Sequence, residues 1–348
     1  MKSLRVGIIG YGLAGSVFHA PLIESVPGLN WVSVVTTSKR EEVIRTHPQV
    51  EVKADAEALF SDPVVDLVVV ATPNDSHFSL ARQALLAGKH VVVDKPFVIH
   101  SWQGEELDKL AKERGRVLSV FHNRRWDNDF LTLRSCIESG RLGEVHTYHA
   151  QWNRYRPHVR DRWRERDEVG AGTLYDLGSH LIDQVLTLFG EPETVTADVL
   201  AQRQGTAVPD YFHLVLAYGE RRRVVLRGGS MVKGESPRFE VHGDRGSFIK
   251  FGLDSQEEAL KAGKRPGQPE WGEDDARLYA TLSLDVDGQA FFERVPTRPG
   301  AYECYYQKVR DAVKGTAAIP VTAAEATRVI RVIELAMESH AQGRTLPW

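Results

Sequence analysis

The sequence predicts an α/β protein with an N-terminal doubly wound parallel sheet and a C-terminal α+β region built on a large, mostly antiparallel open sheet. Up to residue 122, short apolar runs alternate with segments of helical spacing. This alternation is typical of a parallel sheet with helices on both faces. Beyond residue 122 the strand-like runs are longer, alternate in polarity and are joined by turns that contain glycine. That second pattern favours antiparallel strands.

The length predicts two domains. A chain of 348 residues exceeds the roughly 250 to 300 residues at which single cores stop growing. We expect a parallel-sheet domain at residues 1–122 and an α+β domain at residues 123–348, whose final helix can pack back on the first domain. Charged residues make up 26% and hydrophobic residues 42% of the chain, which is ordinary for a globular protein and excludes a disordered one.

Each predicted strand of the first domain is a short apolar run. These runs lie at residues 4–10, 31–36, 50–54, 66–72, 90–94 and 117–122. Unbroken runs such as the three valines at 91–93 are expected where both faces of a strand are buried. Segments with helical spacing separate the runs, for example SLARQALLAGK and GEELDKLAKERG.

The second domain begins with helical patterns and continues with strands. Amphipathic spacing predicts helices in DFLTLRSCIESGRLG, TLYDLGSHLIDQVLTLFG and the closing AAEATRVIRVIELAMESHAQG. Alternating polarity predicts strands in YFHLVLAY, RRVVLRGGSMV, RFEVHG and SFIKFG. Residues 254–275 are rich in glycine, proline and charge, so we expect a surface loop there.

The cysteine content and the N-terminus predict a reduced, cytoplasmic protein. Cys136 and Cys304 are too few for a disulfide framework, and neither lies at metal-ligand spacing. The N-terminal MKSLRVGIIGYG is interrupted by glycine and lacks a cleavage site of small residues, so it predicts a first strand rather than a signal peptide. Every apolar stretch is shorter than the roughly 20 residues of a membrane helix. We expect neither a membrane segment nor a bound metal.

A glycine motif follows the first predicted strand and opens a helix. The glycines have GxGxxG spacing, which permits a tight turn and lets backbone amides at a helix N-terminus approach a pyrophosphate. The alternative is an ordinary glycine-rich turn, but the strand before the motif and the helix after it favour a dinucleotide-binding (Rossmann) domain. The motif residues are Gly10, Tyr11, Gly12, Leu13, Ala14 and Gly15.

The end of the second strand predicts NADP rather than NAD. An NAD site usually has an acidic residue there, which binds the ribose 2'-hydroxyl. This sequence instead reads TTSKRE, and its hydroxyls and cations suit a 2'-phosphate. The alternative is that the two cations simply begin a solvated helix. The candidate residues are Thr37, Ser38, Lys39 and Arg40.

Further candidates follow the fourth and fifth strands, because ligands of open α/β sheets bind beyond the carboxyl ends of the strands. The fourth strand ends in ATPNDSH and the fifth in DKP. Lys95 at this edge is a candidate catalytic residue, and a structural ion pair with Asp94 is the alternative. His77 either contacts the cofactor or caps its helix. The cofactor candidates here are Thr72, Pro73, Asn74, His77, Asp94, Lys95 and Pro96.

Asp176 and His180 form a second constellation. They are four residues apart in a segment with helical spacing, so they share one face and can address one atom. A lone histidine is usually structural. An acid and a histidine that together interrupt an apolar helix favour a functional pair, although no third ligand at metal spacing accompanies them.

The arginine-rich RYRPHVRDRWRERDE, residues 154–168, predicts an ion-paired loop. Six arginines lie between Arg154 and Arg166, but acidic residues interleave with them, and the net charge of the chain is -3. A nucleic-acid site requires a net basic face, so we expect no nucleic-acid partner. Arg154 or Arg156 is placed to reach the substrate.

These motifs together resemble the Gfo/Idh/MocA oxidoreductases. The resemblance covers essentially the whole chain, through GYGLAG, ATPN, DKP, GAGTLYDLGSH and PVTAAEATRVIRVIELAMES. The family usually has Glu-Lys-Pro where this chain has Asp94, Lys95 and Pro96. Matched position by position, the resemblance implies that Lys95, Asp176 and His180 are catalytic. FHNRRWD, with GYGxxxxxFHAP near the N-terminus, is most similar to the NADP-dependent scyllo-inositol dehydrogenase branch.

The resemblance also implies the activity and the substrate site. We expect an NADP-dependent dehydrogenase or reductase that acts on a polyol or sugar, with scyllo-inositol as the leading candidate. A dinucleotide-binding regulator without turnover and an NAD-dependent glycosidase are the alternatives, and the intact catalytic trio and the TTSKRE segment argue against them. Asn123 and Arg124 are expected near the nicotinamide. The substrate-binding candidates are His122, Asn123, Arg124, Trp152, Arg154, Tyr175, Asp176 and His180.

The C-terminal sheet predicts a homo-oligomer, a dimer at least. An antiparallel sheet that is covered by helices on one face leaves the other face to solvent or to a partner. RVVLRGGSMV and RFEVHG carry apolar residues at both alternations, so we expect the outer face to be an interface.

Overall fold

A computed structural model of the protein describes residues 3–159, 165, 168–286 and 288–348. The chain forms two compact units. The first unit comprises residues 1–126, 256–271 and 301–327, and the second comprises residues 127–255, 272–300 and 328–348. The sequence predicted one division, after residue 122; the contacts group two later segments with the first unit.

The first unit contains a six-stranded sheet, all of whose neighbouring strands are parallel. Its strand order, β3-β2-β1-β4-β5-β6, is that of a doubly wound dinucleotide-binding sheet, whose ligand site lies where the strand order reverses. All four residues of β4 are buried, as expected for a strand with helices on both faces. The strands are β1 (Leu4–Ile9), β2 (Leu29–Val35), β3 (Glu51–Lys53), β4 (Leu67–Val70), β5 (His90–Val93) and β6 (Leu118–Val120).

The second unit contains a nine-stranded sheet of order β14-β13-β12-β11-β7-β10-β9-β8-β15. Only the β7–β10 pair among its described pairs is parallel. Burial alternates along β9, so one face of this strand is covered. The strands are β7 (Val145–Asn153), β8 (Thr194–Leu200), β9 (Tyr211–Tyr218), β10 (Arg222–Gly229), β11 (Phe239–Gly243), β12 (Gly246–Lys250), β13 (Ala280–Val286), β14 (Gln289–Val295) and β15 (Leu346–Pro347). The two sheets confirm the predicted fold class.

The helices cover the predicted helical segments. In chain order they are α1 (Ala20–Ser25), α2 (Arg40–Thr46), α3 (Ala56–Phe60), α4 (His77–Leu86), α5 (Ser101–Glu113), α6 (Asn128–Glu138), α7 (Ser179–Phe189), α8 (Gln256–Lys261), α9 (Glu303–Val313) and α10 (Ala323–Gln342). Two π-helical turns, Ala14–His19 and Leu174–Gly178, run directly into α1 and α7, and a 3-10 turn spans Asn123–Trp126.

The segment predicted as a surface loop, residues 254–275, contains the short helix α8. Gln256 and Leu260 of this helix are buried. Lys261 forms ion pairs with Glu257 and Glu258 at 2.7 Å, at i,i+4 and i,i+3 spacing. Such pairs support a helix, although glycine, proline and charged residues in the rest of the segment favour a loop.

Candidate active site

The glycine loop between β1 and the first helix has the geometry of a phosphate cradle. Gly10 has φ +96, and a Cβ there would lie 2.5 Å from the Ala71 carbonyl oxygen. A Cβ at Gly15 would lie 2.1 Å from the Gly10 carbonyl oxygen, whereas a Cβ at Gly12 would meet no described atom within 4 Å. Two glycines therefore allow the tight turn and the close packing, and the third faces open space. This arrangement fits a dinucleotide pyrophosphate.

The segment after β2 presents hydroxyls and cations. Thr37, Ser38 and Arg40 are exposed, and Arg40 begins α2. The Lys39 ammonium lies 3.5 Å from Glu42 and 5.7 Å from the centroid of the Tyr11 ring. The Lys39 ammonium therefore interacts with both the Glu42 carboxylate and the Tyr11 ring. Arg40 makes a 3.5 Å contact with the Val52 carbonyl oxygen.

Tyr11, the second residue of the glycine motif, belongs to an aromatic cluster. Its ring stacks on Trp31 with centroids 5.5 Å apart, and the edge of His47 packs against both rings. Burial, with smaller contributions from Glu42 and Glu24, raises the pKa of Tyr11 to about 12. The hydroxyl therefore stays protonated at neutral pH.

His77 joins the loops that follow β4 and β5. Its Nδ1 lies 2.9 Å from the Pro96 carbonyl oxygen and its Nε2 lies 2.9 Å from the Thr72 carbonyl oxygen. Carbonyl oxygens only accept, so the ring satisfies both contacts when both nitrogens carry a proton. His77 is 1% exposed; it connects two predicted cofactor-binding loops, and its predicted contact with the cofactor itself stays a prediction.

Asp94 is buried next to Lys95. Its Oδ1 accepts the Lys95 backbone N–H at 2.8 Å. Burial alone would raise the pKa of Asp94, but the adjacent His19 imidazole and the charges of Lys95 and His77 outweigh burial and lower it. The residue is therefore a carboxylate at neutral pH.

Asn123 and Arg124 lie in the 3-10 turn after β6 and are buried. The Arg124 guanidinium pairs with the Glu257 carboxylate and donates to the Tyr302 hydroxyl at 3.2 Å. Burial would raise the pKa of Glu257, but the charges of Arg124 and Lys261 lower it to about 2. The positive charge of Arg124 is thus neutralised by a carboxylate of the same unit.

In the second unit, Asp176 lies in the π-helical turn and His180 in the first turn of α7. The sequence predicted a regular helix through both residues; the π turn, a feature that often occurs at functional sites, widens the backbone at Asp176. His180 is 4% exposed. Burial, with a smaller contribution from Glu334, raises the pKa of the neighbouring Tyr175 to about 12.

Trp152 packs among charged and aromatic side chains of the second unit. Its ring centroid lies 5.8 Å from that of His180 and 5.4 Å from the Arg154 guanidinium carbon. The indole is 2% exposed, so it offers little surface to a ligand. Its predicted substrate contact stays a prediction; the structure shows it as a neighbour of His180.

A small cavity in the second unit adjoins Asp176. Its volume is about 20 Å³ and its lining includes Arg154, Arg156 and Arg203, so it has room for about one water molecule. Arg203 forms ion pairs with Asp210 and Glu165. Residues 160–164, 166 and 167 of the predicted ion-paired loop lie outside the described residues.

Among the described residues, no group of three or more His, Cys, Asp or Glu side chains is arranged to hold a metal ion. Within the same residues, no helix is both long and apolar enough to span a bilayer.

Two family models match the sequence. The Gfo/Idh/MocA model described as an oxidoreductase family with an NAD-binding Rossmann fold matches residues 4–122. The corresponding model of the C-terminal alpha/beta domain matches residues 134–347. The two matches span both sheets.

Curated relatives and solved structures agree with these models. The NADP(+) scyllo-inositol 2-dehydrogenase IolW of Bacillus subtilis is 46% identical over 346 residues, which cover 99% of this chain and 96% of the relative. YdgJ of Escherichia coli, an uncharacterised oxidoreductase, is 49% identical over 345 residues, with 99% and 98% covered. The structure of yvaA from Bacillus subtilis, a proposed oxidoreductase, aligns with a TM-score of 0.96 at 45% identity and covers 100% of this chain and 99% of that chain.

Proposed function

The chain belongs to the Gfo/Idh/MocA family of oxidoreductases, and on this premise we propose that it is an NADP-dependent dehydrogenase that interconverts a hydroxyl group of a polyol or sugar and the corresponding carbonyl. Scyllo-inositol and its ketone are the first candidates, because a relative named for this activity is 46% identical over 99% of the chain. The observation that carries the proposal is that the sequence contains Lys95, Asp176 and His180, which the resemblance to the family implies to be the catalytic lysine, aspartate and histidine. A regulator without turnover would not need to keep them.

The proposed cofactor site lies at the carboxyl ends of the strands of the first unit. When bound, the nicotinamide accepts the hydride in oxidation and returns it in reduction. The amides of the glycine loop hold the pyrophosphate, and the segment after β2 holds the 2'-phosphate. The loops that follow β4, β5 and β6 hold the nicotinamide half; their residues are Thr72, Pro73, Asn74, Asp94, Lys95, Pro96, Asn123 and Arg124.

The proposed catalytic residues divide the proton and charge chemistry. His180 accepts the proton of the substrate hydroxyl, because imidazole is the side chain whose unperturbed titration lies near neutral pH. Lys95 donates a hydrogen bond to the substrate oxygen and stabilises its developing negative charge. Asp176 accepts a hydrogen bond from the substrate and orients it. In the reducing direction, His180 returns the proton to the carbonyl oxygen.

The charge of the predicted substrate residues supports a neutral substrate. An anionic substrate would need a cation to bind it, and the guanidinium of Arg124 is paired with Glu257. Among the other candidates, His122, Asn123 and Tyr175 offer groups that can donate and accept hydrogen bonds, and the half-buried Trp126 offers an apolar face. Hydroxyl edges and C–H faces of a polyol ring suit this combination.

Initial rates across a substrate panel test the proposal. The panel contains scyllo-inositol, myo-inositol, glucose, xylose and a simple hydroxy acid, each with NADP and with NAD. We expect the highest kcat/KM with NADP and an inositol. A preference for glucose or xylose would keep the substrate class and reject inositol, whereas activity confined to the hydroxy acid would reject the polyol class.

We also propose that the protein forms a homo-oligomer, a dimer at least, through the exposed face of the nine-stranded sheet. Phe291 and Phe292 on the edge strand β14 are 51% and 69% exposed, one on each face of the sheet because side chains alternate along a strand. Exposed apolar side chains at a sheet edge favour an interaction site there. A 39.0 kDa particle in light scattering at micromolar concentration would contradict this.

A cytoplasmic location is proposed on the cysteine content. The two cysteines are free, and unpaired thiols persist in reducing compartments. Fractionation of cells that produce the full chain would test the location.

A further inference from the structure

A chain of three buried polar side chains in the first unit ends beside Lys95. Nδ1 of His19 lies 2.6 Å from the Tyr306 hydroxyl, and Nε2 lies 3.7 Å from Oδ1 of Asp94. The same Oδ1 accepts the backbone N–H of Lys95 at 2.8 Å. His19 and Tyr306 are completely buried and Asp94 is 8% exposed, so these contacts are shielded from water.

The Asp94 carboxylate and the Tyr306 hydroxyl together favour one tautomer of His19. A carboxylate only accepts hydrogen bonds, so it favours the tautomer that carries its proton on Nε2. Nδ1 is then an acceptor. Burial raises the pKa of the Tyr306 hydroxyl well above its ordinary value, so this hydroxyl keeps its proton and donates to Nδ1. Tyr306 therefore donates a hydrogen bond to His19, and the protonated Nε2 of His19 faces the Asp94 carboxylate at 3.7 Å, which is an electrostatic contact and not a hydrogen bond.

The backbone on both sides of the Asp94 side chain is held by hydrogen bonds. Its N–H donates to the Val70 carbonyl oxygen at 2.9 Å, so the main chain is held in the sheet up to this residue. The chain leaves the sheet at Lys95, where the Asp94 carboxylate supplies the acceptor for the backbone N–H. The orientation of that carboxylate consequently bears on the position of the Lys95 backbone.

We propose that Tyr306 and His19 are positioning residues for Lys95. Tyr306 anchors the His19 ring at Nδ1, the ring places Nε2 3.7 Å from the Asp94 carboxylate, and that carboxylate accepts the backbone N–H of Lys95. The inference rests on the proposed catalytic role of Lys95. It assigns a role to residues that lie far from the DKP segment in the sequence.

Tyr306→Phe tests the inference, with Tyr305→Phe as its matched control. Both rings are completely buried in α9, and the Tyr305 hydroxyl donates to Ser119 Oγ at 2.9 Å. Each substitution removes one hydroxyl and one hydrogen bond, but only Tyr306 contacts His19 through its hydroxyl. The net loss of one hydrogen bond lowers the equilibrium constant between folded and unfolded protein by a factor of roughly 2 to 10. Both variants should therefore lose similar thermal stability.

The kinetic results should differ between the two variants. We expect Tyr306→Phe to lower kcat about 3- to 10-fold, with the dissociation constant for NADP changed by less than about twofold. Tyr305→Phe should leave kcat within about twofold. Equal losses of kcat in the two variants would overturn the positioning role, because a structural defect alone would then explain both.

NMR of protein labelled with 15N-histidine gives a readout that does not depend on turnover. The His19 signal, identified by its absence from His19→Gln, should show a protonated Nε2 and an unprotonated Nδ1. Tyr306→Phe should shift this signal toward a mixture of tautomers. A wild-type His19 protonated on Nδ1 alone would overturn the inferred tautomer. Failure of the proposed function would appear separately, as a wild-type protein inactive on the whole substrate panel.

Discussion

The guanidinium carbon of Arg238 lies 4.9 Å from the centroid of the Trp152 ring, and that ring packs against His180. Arg238 is anchored by the Asp129 carboxylate and by the Gln184 side-chain oxygen, each at 3.3 Å. Gln184 lies one helical turn beyond His180 on α7. The buried cation therefore contacts both the ring beside the proposed proton acceptor and the helix that carries it.

Trp152→Leu should lower kcat about 2- to 10-fold, because an aromatic contact is worth about 0.5 to 1.5 kcal/mol. If the indole only positions His180, the substrate KM should stay within about twofold, and Trp152→Phe should restore most of kcat. A raised KM with unchanged kcat would indicate substrate contact instead. Lys250→Met is the control for stability, since it breaks the buried Lys250–Asp274 pair of the same unit.

Arg40→Ala should raise the KM for NADP about 10-fold and leave the KM for NAD nearly unchanged. The reason is that a charge-assisted hydrogen bond to the 2'-phosphate is worth about 1.5 to 3 kcal/mol. Steady-state kinetics with both cofactors provide the measurement. Arg45→Ala, on the same helix but in its last turn, is the matched control. Equal kcat/KM for NADP and NAD in the wild type would refute the proposed preference.

Lys95→Ala and His180→Ala should each lower kcat by about a hundredfold to ten-thousandfold, the usual contribution of acid–base assistance. Binding of NADP, followed by fluorescence titration, should remain within a few-fold of the wild type. Lys112→Ala, on the exposed side of α5, should have wild-type kinetics. More than a tenth of the wild-type turnover in either active-site variant would remove the assigned role.

The Arg124–Glu257 pair should make the free energy of unfolding depend on pH. The pKa of Glu257 is about 2 in the folded protein, below its ordinary value of 4.5. The unfolded chain therefore binds more protons between these values, and stability is present above about pH 4.5 and is lost as the pH falls toward 2. The loss is on the order of 3 kcal/mol.

Glu257→Gln should flatten this dependence in urea unfolding measured between pH 6 and pH 3. Its stability at pH 6 should be lower than that of the wild type, because Arg124 loses its partner charge. Glu258→Gln is the control: it lies on the same helix and its side chain is 76% exposed. If Glu257→Gln and the wild type lose stability to the same extent between pH 6 and pH 3, the Arg124–Glu257 pair is not the cause of the pH dependence.

Much of the first unit was predictable because the information is local. Buried parallel strands require unbroken apolar runs, so β1 and β4 fall on the runs at residues 4–10 and 66–72. The φ of +96 at Gly10 is a conformation that glycine adopts readily, and the GxGxxG motif predicts a tight turn there. The absence of an acid after β2 is equally visible in the sequence.

Other features of the structure depend on contacts between residues that are distant in the sequence, or on backbone geometry that the sequence pattern does not specify. The π turn at Leu174–Gly178 was not predicted, because apolar spacing does not distinguish it from a regular helix. The FHAP motif is visible in the sequence, but Tyr306, the hydrogen-bond partner of its His19, lies 287 residues away. Arg238 reads as the start of an ordinary strand, and its contacts with Asp129 and Gln184 lie 109 and 54 residues away.

The sequence by itself determined the fold class and predicted the phosphate loop and the catalytic residues, because each prediction depends on residue types at short spacings along the chain. Only the tertiary structure decided which side chains support those residues. Tyr306 meets His19 and Arg238 meets Trp152 because packing of the core brings separate elements together, and the pattern within one element does not specify the partner it will contact.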